Sequence, residues 1–79
     1  MDAAYLEILR RAHGHVIRNE LDEAIAAYTE AIEMCPDEPL GYHCRSYAHL
    51  ANENNVGAIE DYAVSNRLLR EKHAAGETC

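Results

Sequence analysis

The sequence predicts an all-α fold of four antiparallel helices arranged as two stacked helix-turn-helix units, a short α-solenoid, and three observations carry that expectation. Residues recur unchanged at an offset of 34, among them Arg11 and Arg45, His15 and His49, Ala24 and Ala58, Ile25 and Ile59, Tyr28 and Tyr62. A fixed period of this size marks helical units that are each too small to bury their own apolar face and therefore pack on a neighbour. Apolar residues return at three- and four-residue steps, the spacing of one helix face. Asn and Pro interrupt that spacing at intervals that suit short helices.

The first helix is expected from Ala3 to Ile17, because Tyr5, Leu6, Ile8, Leu9, Ala12, Val16 and Ile17 form one wide apolar face. Asn19 and Glu20 break it, and Asn can satisfy local backbone groups at a turn. The second, Leu21 to Met34, carries Ala24, Ile25, Tyr28, Ala31 and Ile32 on one stripe and acids on the other. Pro36 ends it by lacking an N–H and disfavouring helical geometry at Cys35. Asp37 reads as the cap of the third helix, about Glu38 to Ala51, with Pro39 in the first turn where amides are unpaired anyway. Leu40, Tyr42, Cys44, Tyr47, Ala48 and Leu50 are its less polar positions, and Asn52, Asn54 and Asn55 mark the next turn. The fourth helix, about Val56 to Lys72, repeats the core as Ala58, Ile59 and Tyr62 and adds Leu68 and Leu69; His73 to Cys79 reads as a frayed tail.

A chain of 79 residues forms one small domain, and a domain of this size buries only about 60 % of its unfolded surface. With no Phe or Trp and five Tyr, the core must be assembled from Leu, Ile, Val, Ala and aromatic rings whose hydroxyls need partners. The net charge is −7, and seven acids, Glu20, Asp22, Glu23, Glu30, Glu33, Asp37 and Glu38, fall in one segment without Lys or Arg. Such a balance repels phosphate backbones and anionic lipid, so neither nucleic acid nor membrane is expected as a partner. Cys35, Cys44 and Cys79 make an odd set without CxxC spacing, the start lacks the pattern of a secretory signal, and no apolar run reaches spanning length; reduced thiols in a soluble, cytoplasmic protein are expected.

The run Glu23-Ala24-Ile25-Ala26-Ala27-Tyr28-Thr29-Glu30-Ala31-Ile32-Glu33, closed by Pro36, resembles the second helix of a tetratricopeptide repeat, with small Ala at the crossings and an aromatic between them. Tyr42-His43-Cys44-Arg45-Ser46-Tyr47-Ala48 resembles a repeat's first helix, and Ala58-Ile59-Glu60-Asp61-Tyr62 its second. Repeat one would be residues 5–38 and repeat two residues 39–72, followed by a tail at 73–79. The match departs at Ile8, where the family prefers Trp or a bulky apolar residue, at Arg11, where it prefers Leu, and at Ala12, where it prefers Gly.

The resemblance implies a non-enzymatic interaction module whose first helices line a concave groove for a protein or peptide partner. Carried over, the groove comprises Leu6, Leu9, Arg10, His13 and Ile17 from repeat one and Leu40, His43, Cys44, Tyr47 and Ala51 from repeat two. One subgroup of the family clamps the carboxylate tail of heat-shock chaperones with Lys, Asn and Arg. Here Leu9, His13 and Cys44 stand at the clamp positions and a fifth helix is lacking, too few donors to offset the desolvation of a carboxylate.

His15 and His49 stand where an aromatic normally packs, so packed histidines are expected. A metal bridge through His13, His43 and Cys44 would need ligands that no local spacing supplies. No catalytic constellation, metal or cofactor is expected, and the acidic second helix reads as a solvated outer face. Solenoids need about three repeats and a polar cap, whereas Tyr62, Leu68 and Leu69 sit on the last helix. A homo-oligomer, or a subunit of a larger assembly, is therefore expected as the second function.

Overall fold

The computed structural model describes residues 2–75, with side chains as far as Glu71. Among the described residues the chain is all-α: α1 (Ala3–Ile17), α2 (Leu21–Met34), α3 (Pro39–Ala51) and α4 (Asn55–Ala75) follow one another. Each packs on the next, α1 on α2, α2 on α3 and α3 on α4.

Both hairpins turn by the same device. After α1, Asn19 takes the left-handed conformation at φ 61°, and after α3, Glu53 does so at φ 61°. The Glu20 amide then donates to the His15 carbonyl at 2.8 Å and the Asn19 amide to Val16 at 2.9 Å. At the second turn Asn54 donates to His49 at 2.8 Å and Glu53 to Leu50 at 3.1 Å. These paired bonds define the Schellman motif, which satisfies the carbonyls orphaned at a helix end. The three Asn residues of the second turn thus flank the left-handed position without occupying it.

Asn54 instead starts α4. Its Oδ1 accepts from the Gly57 amide at 3.1 Å, and its Nδ2 lies 3.4 Å from His49 Nδ1. The equivalent residue in the first hairpin, Glu20, makes no side-chain cap bond. Its carboxylate takes His15 Nδ1 at 2.7 Å and Arg18 Nε at 3.0 Å, and these bonds hold the Glu20 carboxyl below the usual carboxylate range. The repeated histidines therefore bind the residue that opens the following helix, one through a carboxylate and one through an amide. At the chain start, Asp2 caps α1 by accepting from the Ala4 amide at 2.7 Å.

Two boundaries differ from the sequence expectation. The cap of α3 is Glu38, not Asp37, with φ −89° and ψ 119°; Pro39 forces the residue before it out of helical geometry, so the helix cannot begin earlier. Glu38 is buried, unlike most of the acidic segment around it. At the other end, α4 runs through His73–Ala75, since nothing from Asn66 to Ala75 breaks a helix; the remainder of the expected tail lies outside the described residues.

The core joins Tyr5, Ile8, Leu9 and Ala12 of α1 to Ala24, Ala27, Tyr28 and Ala31 of α2, Cys35 and Ala48, with Val16, Ile25, Leu40 and Cys44 packed against it. Leu68 is also buried. Tyr5 ties the helix starts together, because its hydroxyl accepts from the Gly41 amide at 3.0 Å. A Cβ at Gly41 would lie 3.0 Å from Ile32 Cγ1 and 3.2 Å from the Tyr5 hydroxyl, so glycine permits this approach. Burial pushes the phenols of Tyr5 and Tyr28 up to about 12.

A polar hub joins α2, α3 and α4. Arg45 donates from Nε to Asp61 Oδ2 at 2.7 Å and from Nη2 to Oδ1 at 2.8 Å, while Nη1 reaches Thr29 Oγ1 at 3.1 Å. His49 Nε2 approaches Asp61 Oδ2 at 3.5 Å. The carboxylate holds Arg45 more firmly protonated than usual. Its repeat-equivalent Arg11 instead pairs with Glu30 on the surface.

Cys44 carries a free thiol, whereas Cys35 is disulfide-bonded. Cys79 lies outside the described residues.

Candidate partner-binding surface

Helical periodicity decides which groove candidates are available. On α1, Tyr5, Ile8, Leu9 and Ala12 turn inward, which leaves Leu6, Arg10, His13 and Ile17 exposed. Leu9, expected on the groove, is a core residue at 8 % exposure, because it lies four positions after Tyr5 on the face covered by α2. Arg10 pairs with Glu7 at 3.5 Å in full solvent. Ile17, at the end of the helix, is 72 % exposed.

On α3, Leu40 and Cys44 are half-buried against the core, and His43 is half-buried beside them. Tyr47 is 60 % exposed. His43 meets the Tyr47 ring edge-on with centroids 5.0 Å apart, and the Tyr62 ring of α4 lies 6.0 Å from His43, tilted by 38°. Tyr62 was read as a core residue; here it joins an open aromatic cluster shared by α3 and α4. Ala51 is exposed at the end of α3.

The chemistry of this surface is apolar and aromatic, with few charges. Burial pushes the Cys44 thiol up, which keeps it protonated and a poor nucleophile or metal ligand. His13, His43 and Cys44 are not gathered into a ligand set: among the described residues no group of three or more His, Cys, Asp or Glu is placed to hold a metal ion. Among them, too, no helix is long and apolar enough to cross a membrane.

Sequence reasoning missed two contributors. Asp61 was given no role beyond its place in the repeat-like run, yet it anchors Arg45. The available signal was that Arg45 and Asp61 replace, relative to the repeat pattern and to Ala27 of the first unit, two apolar positions at once. Tyr62 could have been placed only by knowing what covers α4.

Serial helical hairpins with a shared core and a surface of exposed aromatic and aliphatic side chains define a helical-repeat scaffold. A family model described as TPR repeat matches residues 14–53, just over half of the 79-residue chain. The chain belongs to the TPR family, whose repeats are generally non-enzymatic protein–protein interaction units. No curated protein and no solved structure gives a significant match.

Proposed function

We propose that the chain is an adaptor that holds a peptide or helix of a partner protein along α1 and α3. The observation that carries this reading is the line of large apolar side chains left open on these two helices, Leu6, Ile17 and Tyr47, flanked by His13, Arg10 and His43. Exposed apolar surface rimmed by polar residues favours docking of another chain. Leu40 and Cys44 form the floor of the same strip, and Leu9 supports it from within the core.

The test uses a paired variant, Ile17→Glu with Tyr47→Ala. Both sites are mostly exposed, so the helical circular dichroism and melting temperature should stay unchanged. Proteins that co-purify with the wild-type chain should be lost, and a purified partner should bind at least about tenfold more weakly, the equivalent of about 1.4 kcal/mol. Retention of the same partners at the same affinity would overturn the reading. A carboxylate clamp finds little support, since Leu9 is internal and Cys44 is a protonated thiol.

A second reading, assembly through the open edge of α4, is favoured by a separate observation: Ile59, Tyr62 and Leu69 are all more than half exposed on that helix. A cytoplasmic setting without nucleic-acid or membrane partners belongs to both readings. The exclusion of nucleic acid and membrane rests on the net charge of −7, and the cytoplasmic setting on the odd cysteine set without CxxC spacing. Cell fractionation tests the setting.

A further inference from the structure

The internal repeat provides its own control for burial. Positions 34 apart occupy equivalent places on α2 and α4, yet Tyr28 is 3 % exposed and Tyr62 51 %, and Cys35 is 1 % exposed and Leu69 51 %. Ile25 is half-buried where Ile59 is 69 % exposed. The difference is one helix: α3 covers α2, and among the described residues nothing takes that place on α4.

Two arrangements of a second copy could supply the cover. In a head-to-tail stack, α1 of one copy would take on α4 of the next the place that α3 takes on α2. That place demands small or neutral residues, for Gly41 sits where even a Cβ would meet Ile32 at 3.0 Å, and the next turn presents Cys44 to the Tyr28 side. The α1 residues 34 positions earlier are Glu7 and Arg10, a solvated ion pair. Burying both charges costs more than the contact returns.

The open stripe of α4 is self-complementary instead. Ile59, Tyr62, Asn66 and Leu69 follow one another at steps of three, four and three, the seam of a helix pair, with one polar residue of the kind that fixes register. With the flanking Val56, Ala63 and Arg70 the stripe offers roughly 500 Å² per copy, so a two-fold contact would bury about 1,000 Å², the lower bound for a specific interface. On the exposed side of the helix Glu60 lies in the first half and Arg67 and Arg70 in the second, with Glu71 3.8 Å from Arg67, while Asp61 is turned inward and taken up by Arg45. An antiparallel pair brings each Glu60 towards the partner's arginine-bearing end and opposes the helix dipoles; a parallel pair sets Glu60 beside Glu60 and Arg70 beside Arg70.

Building on the assembly reading, we propose that the chain forms a two-fold homodimer in which α4 packs antiparallel on α4 of a second copy, with Tyr62 and Leu69 at the centre and Asn66 setting the register. The interface is isologous and closed, so assembly stops at two.

Sedimentation equilibrium over a concentration series into the high micromolar range, in reductant, tests this. The wild type should fit a monomer–dimer equilibrium that weakens as salt is added. Tyr62→Glu or Leu69→Glu should raise the dissociation constant by about 30-fold or more while the melting curve of the monomer is kept, and Arg70→Glu should weaken it by a smaller factor. Ile17→Glu, on the other surface, should leave it unchanged. A monomer at every concentration overturns both this proposal and the assembly reading. Masses rising past two, or a dimer indifferent to Tyr62→Glu and Leu69→Glu, overturn the α4 pairing alone. Association strengthened by salt overturns the antiparallel orientation.

Discussion

The two arginines that recur 34 residues apart allow one substitution to be made twice in different surroundings. Arg45 and Asp61 have side chains 20 % and 8 % exposed and make a bidentate contact at 2.7 and 2.8 Å. Arg11 and Glu30 are 55 % and 54 % exposed. Arg45→Ala leaves the Asp61 carboxylate buried with only His49 near it at 3.5 Å. Breaking a buried pair from one side costs about 3–5 kcal/mol, and the partial opening of Arg45 places the expected loss near the lower end, about 3 kcal/mol. Arg11→Ala should cost about 0–1 kcal/mol, since an exposed pair is screened and entropically unfavourable to order. A domain of this size has about 3–5 kcal/mol in all, so Arg45→Ala brings it close to unfolding at room temperature. Urea titration followed by far-ultraviolet circular dichroism, with a shared slope, measures both variants. Replacing the pair together, Arg45→Met with Asp61→Leu, should recover most of the loss, because Thr29 keeps its own bond to the Ile25 carbonyl at 2.7 Å. Equal losses for the two Arg→Ala variants, within about 0.5 kcal/mol, would refute the assignment of Asp61 as a buried anchor.

Three further outcomes follow from the geometry. Glu53→Gly should stabilise the domain by about 1 kcal/mol, because a non-glycine residue at φ 61° bears a left-handed penalty of about that size; a melting temperature that falls would contradict it. Gly41→Ala should cost about 1–3 kcal/mol by overpacking against Ile32 and Tyr5, read as a lower urea midpoint with the slope unchanged. In alkali, Tyr5 and Tyr28 keep their protons in the fold up to about 12, whereas the unfolded phenol ionises near 10. Their stabilising contribution is therefore complete below about pH 10 and is lost as pH rises towards 12. In an alkaline titration their phenolate absorbance should emerge together with the loss of helical signal, and emergence well before it would place these rings in contact with solvent.

Much of the fold was legible because it rests on local rules. The bounds of α1 and α2 follow from apolar spacing, Asn19 and Pro36, and they agree with the structure to the residue. The cap of α3 moved from Asp37 to Glu38 because the restriction imposed before a proline acts at Pro39 as it does at Pro36. Glu53 was hidden because three Asn residues around it are better suited to a left-handed turn, yet hairpin geometry, set by where α3 must end, puts Glu there. The site was less legible for a related reason. Whether Leu9 faces a partner or the core depends on the angle at which α2 crosses α1, and the Arg45–Asp61 pair joins residues 16 apart on different helices. Neither quantity is written in a local pattern, and Tyr62 shows the same limit, as identical residues in two repeats differ in burial because only one has a neighbour.

The bond from the Gly41 amide to the Tyr5 hydroxyl acts as a hinge pin. It ties the beginnings of α1 and α3 together, and among the described residues no such bond joins their far ends, where Ile17 and Ala51 stand open. An adjustment of the strip between the two helices that keeps this bond is a rotation about the pinned end. A helix of 15 residues is about 22 Å long, so a tilt of about 5° would displace the Ile17 end by about 2 Å while leaving the pin unstrained. Occupants of different thickness can be accommodated in this way at the open end, with the depth of the pinned end held constant.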